Sequence, residues 1–204
     1  MEKINIVYVD DSPDVYLNLF LGSYKGDEIK INYSTIIFKQ DDSYKTLLEN
    51  QVIRNANIIF IDSRLFENRG VGGVFSGEEF KLILKKIFPY IEVIVISQKA
   101  IGEDFQTIKK YDLAGDVSDV DDIQKSAFDF YSREIIPLIK EKIQNVIEFR
   151  IILERIQNEK IEIDKYLVEN IENSIKGTDE YDQLSSDDLD KVIKEFQIFV
   201  SKIE

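Results

Sequence analysis

The sequence predicts a doubly wound α/β domain with a five-stranded parallel sheet, followed by an all-α segment. Up to residue 122, short apolar runs rich in β-branched residues alternate with stretches of helical periodicity, which is the pattern of repeated βα units. After residue 122, only helical periodicity remains. We therefore expect one domain of residues 1–122 and a helical C-terminal domain of residues 123–204.

The apolar runs predict five strands. The first and third runs are continuously apolar, as expected for strands that are buried on both faces of a sheet. The fifth run is short and unusually polar. In chain order, the predicted strands are 4–9, 33–38, 57–61, 91–96 and 116–120.

Apolar residues at helical spacing predict the helices that connect and follow these strands. Ser12-Pro13-Asp14 is a helix-start signal directly after the first strand, and Pro89 ends a later helix. Pro137 is expected to kink the long helix after the sheet, or to divide it in two. After the helix that begins at Ser12-Pro13-Asp14, the predicted helices are 42–52, 77–88, 104–111, 123–156, 161–175 and 189–203.

The composition argues against several classes of site and partner. The chain contains no histidine and no cysteine, which excludes histidine triads, histidine metal sites, disulfides and zinc–thiolate sites. Its net charge of −13 lacks the clustered Lys and Arg that bind phosphate backbones, so we expect no nucleic-acid partner. No apolar run could span a bilayer and no signal peptide is evident, so we expect a cytoplasmic protein with no membrane partner.

Polar side chains directly follow three of the predicted strands. Asp10 and Asp11 follow the first strand, Asp62 follows the third, and Ser97 follows the fourth. Because ligands of parallel α/β sheets bind beyond the carboxyl ends of the strands, these groups are expected to converge. Three carboxylates would suit Mg²⁺, which prefers oxygen ligands and relieves their repulsion. The alternative is that Asp10 and Asp11 only open the first helix as N-terminal acids.

Three motifs resemble those of response-regulator receiver domains, which have a flavodoxin-like fold. They are IVYVDDSPD at 6–14, IIFIDSR at 58–64 and VIVIS at 93–97, and their order and spacing also fit that family. The resemblance covers roughly the first 115 residues and implies roles for particular residues. Asp10 and Asp11 would organise Mg²⁺ together with Asp62, which would be the phospho-acceptor, and Ser97 would be the hydroxyl that contacts the phosphoryl group and couples it to a conformational switch.

Two features depart from the receiver pattern. The stretch 114–122, where the fifth strand is predicted, contains neither the lysine that receivers place after that strand nor their usual aromatic residue. Arg64 or Lys99 could supply the missing positive charge instead. The loop 63–77 after Asp62 is also about twice as long as usual in the family, and its role is open.

The resemblance implies two-component signalling and leaves two functions open. In the first, a histidine kinase or another phosphodonor protein phosphorylates the chain as part of a phosphorelay, and the helical segment passes the signal to an unidentified protein. In the second, the chain is a pseudo-receiver that binds partners without phosphorylation. The helical segment could form a bundle, hold a homodimer, or be a structural extension. The spacing of the acids does not match the haloacid-dehalogenase phosphatases, so we do not expect an enzyme.

Overall fold

The computed structural model describes residues 2–26, 28–66, 76–98, 107–112 and 120–158, with only the backbone described for residues 153 and 156–158. Within these ranges it contains five strands and six helices. None of these helices combines the length and the apolar character that a membrane span needs. In chain order the elements are β1 (Lys3–Asp10), α1 (Val15–Ser23), β2 (Lys30–Ile37), α2 (Tyr44–Glu49), α3 (Gln51–Arg54), β3 (Ile58–Asp62), α4 (Gly77–Ile87), β4 (Glu92–Ser97), β5 (Thr107–Lys109), α5 (Val120–Glu134) and α6 (Ile136–Asn158).

The five strands form one parallel sheet in the order β2-β1-β3-β4-β5. This order is that of flavodoxin-like doubly wound folds, so the predicted fold class is confirmed. The strand order reverses between β1 and β3, and ligands of such sheets bind beyond the strand ends at this point. The sheet therefore directs attention to the residues that end β1 and β3.

The sheet carries a hydrophobic core on each face. Alternate residues of a strand point to opposite faces, so Val7 and Ile59 pack with α2, α3 and α4, whereas Ile6 and Ile58 pack with α1, α5 and α6. All four side chains are at most 1% exposed. Burial on both faces explains why β1 and β3 are continuously apolar in sequence.

The helix predicted at 42–52 is interrupted at Asn50. This residue ends α2 and begins α3, with φ −71° and ψ 122°. Its side chain accepts a hydrogen bond from the backbone N–H of Val52 at 2.8 Å. An asparagine side chain can thus cap a new helix where the apolar spacing suggested a continuous one.

The fifth strand lies earlier in the chain than predicted. β5 is Thr107–Lys109, inside the stretch predicted as the helix 104–111, and it pairs with the end of β4. The predicted strand 116–120 is wrong at Val120, which begins α5, and its other residues lie outside the described ranges. Only Ile108 of β5 is buried. The strand depends on its pairing with β4, which an apolar pattern in the sequence cannot show.

The long helix predicted at 123–156 is divided in two, as Pro137 indicated. Pro137 is the second residue of α6, where a backbone N–H would have no partner within the helix. Helices α5 and α6 contribute Ala127, Tyr131, Ile139, Ile143 and Val146 to the core on the α1 side of the sheet. The boundary at residue 122 stays a prediction, and the helices predicted at 161–175 and 189–203 lie outside the described residues.

Candidate functional site

The carboxyl edge of the sheet gathers the residues at the ends of four strands. Asp10 ends β1, Asp62 ends β3, Ser97 ends β4, and Lys110 directly follows β5. All four residues are buried, and none is more than 7% exposed. Because β1, β3, β4 and β5 are consecutive neighbours in the sheet, these side chains lie side by side at one edge.

Lys110 joins the two buried carboxylates. Its ammonium lies 2.7 Å from Asp10 Oδ2 and 2.6 Å from Asp62 Oδ1. Burial alone would lower the pKa of Lys110, but the hydrogen bonds to Asp10 and Asp62 outweigh it and raise the pKa above its usual value. The lysine is therefore a fixed positive charge between the acids.

The prediction that the pocket lacks a lysine is wrong. It followed from placing the fifth strand at 116–120. The fifth strand is Thr107–Lys109, and Lys110 directly after it contacts Asp62. The signal available in the sequence was the lysine pair Lys109-Lys110 after Thr107-Ile108. Three residues with one apolar side chain are too few for periodicity to distinguish a strand from a helix.

Asp10 is held by three donors. Its Oδ2 accepts hydrogen bonds from the Tyr8 hydroxyl at 2.5 Å and from Lys110, and its Oδ1 accepts one from the Ser12 N–H at 2.9 Å. A carboxylate offers about four lone pairs, so most of the acceptor capacity of Asp10 is occupied. Burial first, and then the charge of Asp10, raise the pKa of Tyr8, which keeps its hydroxyl a proton donor.

Asp62 is held on both oxygens. Lys110 contacts Oδ1, and the backbone N–H of Arg64 donates to Oδ2 at 2.8 Å. The contribution of the Arg64 positive charge stays a prediction, and its backbone N–H is one donor to Asp62. Lys99, the other expected substitute, lies outside the described residues.

Ser97 pairs with a second buried serine. The Ser63 hydroxyl donates to the Ser97 hydroxyl at 2.9 Å, and the backbone N–H of Lys110 donates to the Ser97 carbonyl at 2.7 Å. Ser63 and Ser97 are 2% and 0% exposed, so their hydroxyls depend on protein partners. The predicted switch hydroxyl is thus paired with the residue after Asp62, and the backbone of Ser97 is paired with that of Lys110.

The first residue of α4 packs against the backbone that carries Asp62. A Cβ atom on Gly77 would lie 2.4 Å from the Asp62 carbonyl oxygen and 2.9 Å from Ser63 Cα. The Gly77 N–H also donates to the Ser63 carbonyl at 2.8 Å. Only glycine permits this approach. The start of α4 therefore packs directly on the Asp62–Ser63 backbone at the beginning of the predicted long loop. Residues 67–75 of this loop lie outside the described ranges.

Asp11 is the exposed acid of the predicted metal site. Its carboxylate is partly shielded from water, and this desolvation, followed by the negative charges of Asp10 and Asp62, raises the pKa of Asp11. No three acidic side chains in the described part of the chain are arranged to hold a metal ion. A hard cation shared by Asp11 and the remaining lone pairs of Asp10 or Asp62 would relieve the repulsion, so the donor chemistry fits Mg²⁺, whose binding stays a prediction.

Sequence reasoning missed two buried tyrosines beside the pocket. Tyr8 and Tyr131 are both 0% exposed and both carry a hydrogen-bonded hydroxyl. In the sequence they occupy apolar positions of β1 and α5, where a tyrosine is expected to serve as a core residue. Nothing in the periodicity distinguishes such a tyrosine from a phenylalanine.

Comparison with solved structures gives a likeness of fold. No protein-family model matches the sequence, and no curated protein matches it. The fold is similar to the structure of RcsB from Salmonella enterica serovar Typhimurium bound to promoter rprA in the presence of phosphomimetic BeF3−. The two chains share 16% sequence identity with a TM-score of 0.35, over 84% of this chain and 89% of that chain. The likeness concerns the fold alone.

The same comparison overturns the expectation that nucleic acid is not a partner. The RcsB structure is bound to a promoter, against the expectation of no nucleic-acid partner. The exclusion rested on the net charge of −13, and a net charge does not describe the field of a local surface. We withdraw the exclusion. The promoter is a ligand of that protein, and the receiver-like fold of this chain rests on its own strand order.

Proposed function

We propose that this chain is a response-regulator receiver that acts in signal transduction, with Asp62 as its phospho-acceptor. The observation that carries the proposal is the Lys110 ammonium held between Asp10 and Asp62. Phosphoryl transfer to a carboxylate depends mainly on positioning and on neutralising the charge of the phosphoryl oxygens. A buried lysine in contact with the acceptor carboxylate supports both requirements.

In the proposed reaction, one Asp62 oxygen attacks the phosphorus of a phosphodonor. The new bond from phosphorus to that oxygen forms as the bond from phosphorus to the leaving group of the donor breaks, and the leaving group departs with the electron pair. Lys110 would then move its hydrogen bond from Asp62 to a phosphoryl oxygen. The Ser97 hydroxyl, now paired with Ser63, would donate to another.

Asp11, with Asp10 and Asp62, would hold Mg²⁺ in this proposal. When bound, the ion would supply further positive charge to the phosphoryl oxygens. The contribution of the chain is orientation, because Asp10 is fixed by Tyr8, Ser12 and Lys110 before any ion binds.

We further propose how the module exchanges its signal. A histidine kinase or another phosphodonor protein would supply the phosphoryl group, as in two-component signalling. Output would pass through protein contacts of the helices after the sheet, which is supported by the packing of α5 and α6 on the same core as α1. In this proposal the chain is a regulator that is modified, with no substrate of its own to turn over, and a homodimer is one form that its output could take.

Labelling with a small phosphodonor tests the proposal. We would incubate the full chain with Mg²⁺ and acetyl phosphate and measure intact mass over time. The expected result is a gain of one phosphoryl group that hydroxylamine removes and that Asp62→Asn abolishes. Asp129→Asn, at an exposed position of α5, is the matched control and should label like the wild type. Absence of a gain in the wild type, beside a receiver that labels, would reject phosphorylation by small donors.

The second candidate is a pseudo-receiver that binds partners without phosphorylation. It is favoured by two observations. Three donors occupy Asp10, and the described residues hold no ready-made group of three acids for a metal. Its other support, the missing lysine, is removed by Lys110. Titration with Mg²⁺ alone separates the two candidates. The receiver predicts Mg²⁺ binding that Asp11→Asn weakens, and the pseudo-receiver predicts no such binding.

A further inference from the structure

A chain of hydrogen bonds, fully buried at the pocket end and partly buried at Asp14, leads from the pocket to helix α5. It begins at the Tyr8 hydroxyl, which donates to Asp10 Oδ2 at 2.5 Å and accepts from the Asp14 N–H at 3.2 Å. Tyr8 and Asp10 are two residues apart on β1, so their side chains share one face of the sheet. The same hydroxyl therefore contacts a pocket acid and the residue that caps α1.

The second half of the chain of hydrogen bonds comes from α5. The Tyr131 hydroxyl donates to Asp14 Oδ1 at 3.2 Å and accepts from the backbone N–H of Tyr111 at 2.9 Å. Asp14 Oδ1 also caps α1 by accepting from the Leu17 N–H at 2.6 Å. Since Tyr111 follows Lys110 directly, Tyr131 ties the backbone beside the pocket lysine to the start of α1.

The two hydroxyls need an explanation beyond packing. Both rings lie in the core on the α1 side, where Tyr131 packs at 5.7 Å from Phe20 and 5.3 Å from Phe130 between ring centroids. A phenylalanine could fill the same space without placing a polar group in an apolar core, which is unfavourable unless the group is bonded. Each hydroxyl has one bond to a pocket residue or to the backbone beside it, and a second bond to Asp14 at the start of α1.

We propose that Tyr8 and Tyr131 are positioning residues of the pocket. Tyr8 fixes the orientation of the Asp10 carboxylate, and Tyr131 fixes the Lys110–Tyr111 backbone against the cap of α1. The Lys110 ammonium is then held from both sides, because its acceptor and its backbone are each anchored by one tyrosine. The consequence for phosphorylation rests on the proposed function, whereas the effect on Lys110 does not.

The test uses three tyrosine-to-phenylalanine variants of the full chain. Tyr8→Phe and Tyr131→Phe each remove one hydroxyl of the proposed pair and retain the ring. Tyr33→Phe is the matched control. Tyr33 lies on β2, and its hydroxyl donates at 2.5 Å to Oδ1 of Asn18, which is not a pocket residue. Thermal unfolding of all three variants establishes that they are folded before any other comparison.

The first readout is independent of phosphorylation. The Lys110 ammonium and the Tyr111 amide are followed by nitrogen-15 NMR hydrogen exchange. We expect faster exchange of the Lys110 ammonium in Tyr8→Phe and in Tyr131→Phe, with faster exchange of the Tyr111 amide in Tyr131→Phe as well, and no change at Lys110 in Tyr33→Phe. Unchanged Lys110 exchange in both pocket variants, or an equal change in the control, would overturn the positioning role.

The second readout is the initial rate of Asp62 labelling by acetyl phosphate with Mg²⁺. We expect Tyr8→Phe and Tyr131→Phe to be slower by about tenfold, since small misplacements of reacting groups are costly, and Tyr33→Phe to match the wild type. Wild-type rates in both pocket variants would reject the positioning role and leave the proposed function intact. No labelling of the wild type, with altered Lys110 exchange, would reject phosphorylation of Asp62 by small donors and leave the positioning role intact.

Discussion

The Lys110 ammonium lies 2.6 Å from Asp62 Oδ1 and closes the site at the carboxyl edge of the sheet. Lys110 reaches this place because β5 pairs with the end of β4, which sets the residue after β5 beside the end of β3. The side chains of Lys110 and Asp62 are 7% and 10% exposed, so the pair is shielded from solvent. Its electrostatic contribution is therefore weakly screened.

Replacing Lys110 should destabilise the fold. Lys110→Met leaves two buried carboxylates with no cation between them, and breaking a buried ion pair on one side costs about 3 to 5 kcal/mol. Urea unfolding in the presence of EDTA measures the change. Lys109→Met is the control, because Lys109 is half exposed and forms an exposed ion pair with Asp112 at 3.8 Å, so we expect a loss of about 0.5 kcal/mol or less. Equal stability of the two variants would contradict the ion pair.

A side chain at position 77 should disturb the backbone at Asp62. The Cβ of Gly77→Ala would meet the Asp62 carbonyl at 2.4 Å, and because backbone cannot rotate away, we expect a loss of about 1 to 3 kcal/mol. Gly22→Ala is the control. Gly22 lies in α1, and its Cβ would meet the Tyr33 ring of β2 at an ordinary contact distance of 3.5 Å. Alanine is the better helix former, so that variant should gain up to about 1 kcal/mol. Chemical unfolding measures the stability of both variants. A Gly77→Ala variant as stable as the wild type would show that α4 can shift away from the Asp62 carbonyl.

The sequence predicts the sheet and part of the site, and it fails where tertiary contacts decide. Strands β1 and β3 are predictable because burial on both faces requires unbroken apolar runs, and Asp10 and Asp62 follow from their ends. β5 has one buried residue, so its strand and Lys110 are fixed by pairing with β4, which has no local signature. Tyr131 was expected to be a core residue, and its hydroxyl gains a role only when α5 packs beside Asp14.

The two serine hydroxyls should be energetically coupled. Ser63→Ala and Ser97→Ala each remove one side of a buried hydrogen bond of 2.9 Å, and the double variant removes both. A double-mutant cycle isolates the pairwise contribution, which we expect to be about 1 kcal/mol for a neutral hydrogen bond. Unfolding free energies of the four proteins give the coupling. Strict additivity of the two losses would show that the hydroxyls act independently.

A half-buried lysine on α4 should make stability depend on pH below the usual lysine pKa. Burial, followed by the positive charge of Lys142, lowers the pKa of Lys81, with a smaller contribution from Lys85, while Glu92 and Glu78 oppose the shift. Because the pKa in the folded chain lies below that in the unfolded chain, the unfolded chain binds more protons between the two values. Folding stability attributable to Lys81 therefore rises with pH through that window and is lowest below it.

Lys81→Met removes this unfavourable charge and should be more stable than the wild type near neutral pH. The advantage should shrink as pH rises from the lowered pKa of Lys81 toward the usual lysine value of about 10.4, because the wild-type side chain then folds without its proton. Urea unfolding of both proteins across this range measures the difference. Lys86→Met, at an exposed position of the same helix, is the control for the loss of a lysine side chain from α4. A Lys81→Met advantage that stayed constant with pH would mean that packing, and not the buried charge, sets the effect.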